Sequence, residues 1–453
     1  METRILFKIL TCVVIILLTA EPQTKSQDRR ALTLKDAVGL ALQNNHLLNV
    51  KKYQVGEKQQ KVNEDKVKYY PVVAIGGSYQ YNSNLPSITI EEGRFGTLPF
   101  GGLNFPLPPV DEIIEVGKHN VYNAGVTVYQ PITQIGKINA GVQVSKTDLR
   151  IAEAEESKAV LQIKQTVEKL YFGLLILQKQ IEEAEIRVAL AKTKLSDIEN
   201  AVYAGKTTGS NRYGLSASVA GEEQELLKLK IQYDDYSDDL KHITGFDPSV
   251  DIILEKDPPE ILPAGISDID SSVNVAAVKN KDLRIASLYS DKADYSIKAS
   301  KLSYLPDLGI LGGYTYQEGT DIYPRNNAFI GASFKWNIQD AFSNRSIQRQ
   351  RSFARMQAEE NLANTREQVA KDLEKASRKL KQSEELIRVA EKIADYRRED
   401  LKIQIDRRNS GLNLESDLLA ARAALAKAES DYFAARLNYR IALSELQVLT
   451  GTY

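Results

Sequence analysis

Cysteine is nearly missing from this sequence: 453 residues contain only Cys12. A disulfide framework and thiolate metal ligands are therefore excluded from the rest of the chain. Histidine is almost as scarce, and His46, His119 and His242 lie far apart with no metal-like spacing. Each reads as a surface or packing residue. Beyond the first 20 residues no run of about 18 apolar residues occurs, which rules out a membrane-spanning helix. Neither sign of charge dominates: 59 basic residues stand against 60 acidic ones, so nothing draws the chain toward nucleic acid. There is no glycine-rich phosphate loop, nucleophile elbow or zinc-binding helix. The chain reads as a non-enzyme without catalytic residues, cofactor or metal. The acidic group Asp234, Asp235, Asp238 and Asp239 reads as a solvated helix face rather than a calcium site.

What is present starts with a leader. Arg4 and Lys8 precede an apolar run from Ile9 to Leu18, followed by Thr19-Ala20. That is the pattern of a secretory signal peptide, with processing expected between Ala20 and Gln27 and residues 1–26 taken as the leader. Cys12 lies too early, and behind too poor a residue in Thr11, for an acylation site. Export is expected, and any insertion into a membrane must use strands.

The remainder is written twice. Shifted by 235, residues 34–81 fall on 269–316 without a gap, so that Asn45 meets Asn280, Pro71 meets Pro306, and Tyr79 and Tyr81 meet Tyr314 and Tyr316. Shifted by 206, residues 124–245 fall on 330–451, with Gly205 on Gly411 and Thr244-Gly245 on Thr450-Gly451. A unit this long is no solenoid repeat. The expected organisation is a first repeat over 27–245, a proline-rich connector over 246–266 and a second repeat over 267–453.

Within each repeat a long stretch carries a helical seam. Ile163, Val167, Leu170, Leu174, Leu177, Ile181, Ala184, Val188, Ala191, Leu195, Ile198 and Val202 alternate steps of four and three. This is a heptad pattern. Val369, Leu373, Ala376, Leu380, Ser383, Ile387, Ala390 and Ala394 reproduce it. The proline-free stretch 138–203 predicts a helix of roughly 100 Å at about 1.5 Å per residue. A partner helix follows each, after turns near Gly205–Gly209 and Ser410–Gly411, which makes two antiparallel hairpins. A soluble coiled-coil rod would fit the helices alone.

The intervening segments change period from 3.6 to 2. Strands are expected at about 71–82, 121–132, 306–317 and 328–338. Val73, Ile75, Tyr79 and Tyr81 share one face, with Ala74, Gly76, Ser78 and Gln80 opposite. Leu308, Ile310, Tyr314 and Tyr316 repeat this pattern, as do Val126 with Val128 and Ile330 with Phe334 and Trp336. Alternation over about ten residues is the transmembrane strand signature. Tyr79, Tyr81, Tyr314, Tyr316 and Trp336 are candidates for an aromatic girdle against outer-membrane lipid. Four strands cannot close a barrel and lipid tolerates no open edge, so insertion requires oligomerisation. Residues 82–121, rich in glycine and proline, are expected to form a long surface loop.

Taken together these residues resemble the TolC family of outer-membrane efflux proteins. The marks are the duplicated helix–strand–strand–helix–helix order, Tyr129-Gln130-Pro131-Ile132, the Ser410-Gly411-Leu412 turn and the two Thr-Gly ends. The resemblance implies a mainly α fold with membrane β. Long antiparallel coiled-coil helices would form a periplasmic α-barrel, and four strands per chain would contribute to a 12-stranded transmembrane β-barrel in a homotrimer. It implies an outer-membrane channel reaching into the periplasm, the passive exit duct of a tripartite efflux or type I secretion system. An inner-membrane pump would deliver substrates through a periplasmic adaptor protein. The adaptor would meet Ala204, Gly205, Ser410, Gly411 and Leu412 at the hairpin tips, and Asp417 would line the tunnel constriction. Asn211 and Ala420 stand where further acidic residues would be expected. Asp417 fits equally the first turn of the returning helix, at the positive end of its dipole. The alternative is a secreted periplasmic coiled-coil scaffold without a channel. A surface receptor using the 82–121 loop is a third reading.

Overall fold

The computed structural model describes residues 30–250, 252–255, 278–320, 324–412 and 414–452. The leader and residues 256–266 of the connector lie outside these. In chain order the elements are β1 (Arg30–Leu32), α1 (Leu34–Asn44), α2 (His46–Val67), β2 (Val72–Tyr81), β3 (Ser87–Ile90), β4 (Thr97–Phe100), β5 (Leu103–Pro106), β6 (Glu112–Glu115) and β7 (Asn120–Pro131). There follow α3 (Ile135–Tyr203), α4 (Arg212–Thr244), β8 (Ile252–Leu254), α5 (Lys281–Leu302), β9 (Asp307–Glu318), β10 (Asn326–Lys335), α6 (Ile338–Asn409) and α7 (Glu415–Thr450). The long helices α3 and α6 run for 69 and 72 residues. The fold is mainly α with a separate β-sheet. Two compact units result, each drawing on both repeats.

The helical unit comprises Met1–Lys51, Glu156–Lys281 and Glu367–Tyr453. Its core follows the seam. Ile163, Val167, Leu174, Leu177 and Ala184 are buried, and so are Val369, Leu373, Ala376 and Leu380 in the second copy. Tyr171, Phe172 and Leu175 are buried beside the first seam, so α3 packs on more than one face. Gly173 makes room for α4, since a Cβ there would stand 2.8 Å from the Tyr236 ring. Sequence reasoning left the connector irregular, but β8 within it pairs in parallel with β1, Leu254 opposite Leu32. The branched and apolar run Ile252-Ile253-Leu254 has strand propensity, and it gains a hydrogen-bonding partner that is distant in sequence.

Tyr171 ties these pieces together. Its hydroxyl donates to the Leu32 carbonyl at 3.1 Å and lies 3.3 Å from that of Glu255, with the side chain buried. Burial pushes the phenol up to about 12. Tyr171→Phe removes both bonds, although the Leu32 carbonyl keeps the Glu255 N–H at 3.3 Å, and is expected to cost about 1 kcal/mol, read from the midpoint of thermal unfolding. The raised value also fixes a sign. Wild-type stability relative to the phenylalanine variant holds below about pH 10 and falls as pH rises toward 12.

The sheet unit comprises Lys52–Glu155 and Asp282–Arg366. Its four strands are ordered β10-β9-β7-β2, antiparallel throughout. Pro71 and Pro306 precede β2 and β9, and Pro131 closes β7, where a missing N–H donor is tolerated. Asn337 follows β10, and its side-chain oxygen accepts from the Gln339 N–H at 3.2 Å, opening α6. Near the end of α2, the buried Asp65 accepts hydrogen bonds from Ser145 and Lys68. Burial alone would raise its carboxyl, but those bonds with the Lys68 and Lys61 charges hold it below the usual range.

The segment expected to be a long surface loop carries two strand pairs. β3 pairs with β6, and β4 pairs with β5 further out along the same arm. Gly101 and Gly102 join β4 to β5 at φ 63° and 85°, a two-residue turn with both residues left-handed. The short strands with Pro99 and Pro106 hid this hairpin. Gly-Gly between Leu98-x-Phe100 and Leu103-x-Phe105 was the signal for it.

Candidate functional site

Register decides what the sheet presents to its surroundings. Ile75 lies opposite Val126, Val126 opposite Tyr314, and Tyr314 opposite Ala328. One face therefore collects Val73, Ile75, Tyr79 and Tyr81 with Tyr122, Val126 and Val128, then Leu308, Ile310, Tyr314 and Tyr316, then Ile330 and Phe334. All of these are exposed large hydrophobics, up to 82% for Ile75 and 84% for Ile330. The opposite face carries Ser78, Asn123, Thr127, Gly309, Gly313, Thr315 and Ser333, together with Val72, Tyr129, Leu311 and Phe329. An apolar face left in water across four strands is not a soluble surface. It fits the lipid side of a membrane sheet, and most of the polar and glycine positions of the strands lie on the side opposite.

The tyrosines lie toward the ends of β2 and β9 away from the helices. The Tyr79 hydroxyl donates to Asn120 at 2.9 Å and the Tyr314 hydroxyl donates to Asn326 at 2.8 Å. These are the same pair in the two repeats, because Tyr79 and Tyr314 are 235 apart and Asn120 and Asn326 are 206 apart. Tyr316 donates to Glu318 at 2.9 Å. Each ring thus offers an apolar body with its polar tip satisfied, as an interfacial aromatic requires. Trp336 stands just past β10 at the opposite end, exposed. Tyr122 was missed in the sequence, although it keeps phase with Val126 and its ring lies 5.2 Å from that of Tyr79. Exposed Tyr70 and Tyr304, at the helix end of the strands, were missed as well.

The helical tips are built twice by one device. At the end of α3 the Gly205 N–H donates to Val202 O at 3.0 Å and the Lys206 N–H to Ala201 O at 2.9 Å. At the end of α6 the Gly411 N–H donates to Arg408 O at 3.0 Å and the Leu412 N–H to Arg407 O at 2.9 Å. Both are Schellman endings, with the glycines at φ 69° and 73°. Ala204, Gly205, Ser410 and Gly411 are exposed, and Leu412 projects with 75% of its surface free. Tyr203 and Tyr213 flank the first tip, 91% and 83% exposed. Asp417 sits in the first turn of α7, where its carboxylate accepts from the Leu414 N–H at 3.1 Å. It is exposed and caps the helix it belongs to.

Among the described residues no group of His, Cys, Asp and Glu could hold a metal ion. No helix there is long and apolar enough to cross a membrane.

A duplicated chain with an open four-stranded sheet and two capped helical hairpins has close structural counterparts among outer-membrane channels. CmeC, an outer membrane channel of Campylobacter jejuni, superposes with a TM-score of 0.72 at 16% identity, over 92% of this chain and 85% of that one. VceC, an outer membrane protein of Vibrio cholerae, gives 0.71 at 15% identity, covering 92% and 96%. The open-state MtrE channel of Neisseria gonorrhoeae gives 0.67 at 16%, covering 92% and 89%. No curated protein matches the sequence. The outer membrane efflux protein family model matches residues 37–246 and 273–452, and the chain belongs to that family. It is a TolC-like efflux channel protein of the outer membrane.

Proposed function

We propose that this chain is the passive exit duct of a tripartite efflux or type I secretion system, assembled as a homotrimer whose 12 strands close one barrel. The observation that carries this is the sheet with two unpaired edges, β2 and β10, beneath an exposed apolar face. An unpaired edge is costly in hydrocarbon, and joining the β10 edge of one copy to the β2 edge of the next removes both. The helical unit supports the same reading independently. Leu386, Val389, Ile393 and Tyr396 step by three and four along α6, exposed to 61%, 57%, 47% and 64%, and Leu227 and Ile231 are exposed on α4. These are seams without partners in a single chain. They argue for neighbouring copies and against the channel-less scaffold, which the family membership also disfavours.

In this reading Tyr79, Tyr81, Tyr314, Tyr316 and Trp336 meet the lipid interface. The tips at Ala204-Gly205 and Ser410-Gly411-Leu412 meet a periplasmic adaptor, through which an inner-membrane pump delivers cargo. Asp417 contributes one acidic ring near the closed end of the tunnel. The repeats 27–245 and 267–453, joined by 246–266, supply equivalent halves of each wall. The deciding measurement is the protein mass of the detergent-extracted particle, by light scattering coupled to size exclusion. Three chains per outer-membrane particle are expected; a monomer or dimer overturns the shared barrel.

A further inference from the structure

The arm between β2 and β7 carries an amphipathic hairpin that the duct itself does not need. In β4 and β5, Leu98 lies opposite Phe105 and Phe100 opposite Leu103. These four side chains share one face, exposed to 54%, 49%, 79% and 66%. Thr97, Pro99, Asn104 and Pro106 take the other face. The arm is anchored at its base, where the Lys118 N–H donates to Gly319 O at 2.8 Å and the Asn82 N–H to His119 O at 2.8 Å. Further out, the Phe95 N–H donates to Leu107 O at 2.8 Å. The apolar face is therefore held on an ordered ladder.

The composition of the arm narrows what covers that face. From Phe95 to Val110 no residue is charged, and none is tyrosine or tryptophan. A segment that docks on lipid carries basic and interfacial aromatic residues, and a charge-steered protein partner needs a charged counterpart. A neutral apolar face is complementary to itself. The arm leaves β2, the edge strand at which neighbouring copies would join, so it continues that seam beyond the membrane. In a closed ring each copy holds an identical arm at the same end, at the high effective concentration of a tethered group.

We infer that the Leu98/Phe100/Leu103/Phe105 faces of neighbouring copies pack on one another and cover the barrel end opposite the helices. This rests on the trimeric reading. The cover restricts entry from outside, and cargo pushed from the helical end displaces it.

The test uses cysteine cross-linking, for which the chain is suited because its only cysteine is Cys12 in the leader. Phe100→Cys and, on the opposite face, Asn104→Cys are placed singly in the full chain. Cells are treated with a mild oxidant, and the particle mass is measured in parallel. Phe100→Cys is expected to give one disulfide-linked pair per particle, with Asn104→Cys several-fold less. Equal linkage of both, or no linkage of Phe100→Cys in a particle of three chains, overturns the cover. Phe100→Cys that resists a membrane-impermeant maleimide only while lipid or a second protein is present would assign the face to that occupant instead. A particle that is not trimeric overturns the ring as well, and the mass measurement separates the two failures.

Discussion

Gly313→Ala is expected to remove the assembled channel from the outer membrane, whereas Gly331→Ala leaves it in place. Both substitutions add one methyl group to the face of the sheet opposite Ile75 and Tyr314. At Gly313 the new Cβ would collide with the Val126 carbonyl oxygen and stand 3.0 Å from the Phe329 ring. The ring can rotate, but the carbonyl belongs to the β7–β9 ladder, and β9 is held between β7 and β10. Moving it breaks main-chain hydrogen bonds where no water can replace them. At Gly331 nothing lies within 4 Å of the added atom. Overpacking of this kind costs about 2–3 kcal/mol, or a roughly hundredfold shift between assembled and unassembled chain. The amount of heat-stable oligomer in isolated outer membranes reads the difference. Equal amounts from the two variants would show that the β7–β9 register in the membrane differs from the one described here.

The second large effect is functional rather than structural. A chain carrying both Gly205→Val and Gly411→Val is expected to assemble at normal levels and to export nothing above cells that lack the protein. Each glycine sits in the left-handed region with open space around its missing Cβ. Substitution therefore meets no clash and costs only the conformational penalty, about 1–2 kcal/mol per site. That loss falls on the last turn of each helix, far along the chain from the strands that close the barrel. A β-branched residue resists φ near 70° and refits the turn. That shifts the Lys206 and Leu412 N–H groups off their carbonyls and repositions exposed Leu412. Cargo export compared with oligomer yield separates the two outcomes. Full export by the double variant would overturn adaptor contact through the turns.

The parts legible in the sequence were those written in a period. The four–three stepping from Ile163 onward, the alternation from Val73 to Tyr81 and the two offsets locate helices and strands because each depends on near neighbours. The glycines at 205 and 411 announced the helix ends for the same reason. The arm was less legible. Its strands are four residues long and two contain proline, so only the Gly101-Gly102 turn marked it. The β1–β8 pairing was invisible because three residues near position 31 meet three near 253, and no local pattern encodes a partner so far away. The Tyr79–Asn120 and Tyr314–Asn326 bonds lay hidden for a related reason. Offsets of 235 and 206 each relate one member of the pair, but only strand register shows that the two members touch.

By itself the sequence determined the duplication, the helical hairpins with their glycine ends and the four strands, too few to close a barrel alone. These follow from periodicity, from the conformational freedom of glycine, and from the cost of unpaired backbone in lipid. Only the tertiary structure decided that the four strands bring Ile75, Val126, Tyr314 and their alternating neighbours onto one common face, because a slip of one residue would turn each strand over. It also decided that Gly313 lies against a neighbouring carbonyl, that Asp417 caps its own helix, and that the Leu98, Phe100, Leu103 and Phe105 side chains converge on an open face. Those facts are distances between segments remote in the chain or register across a turn, and packing sets them.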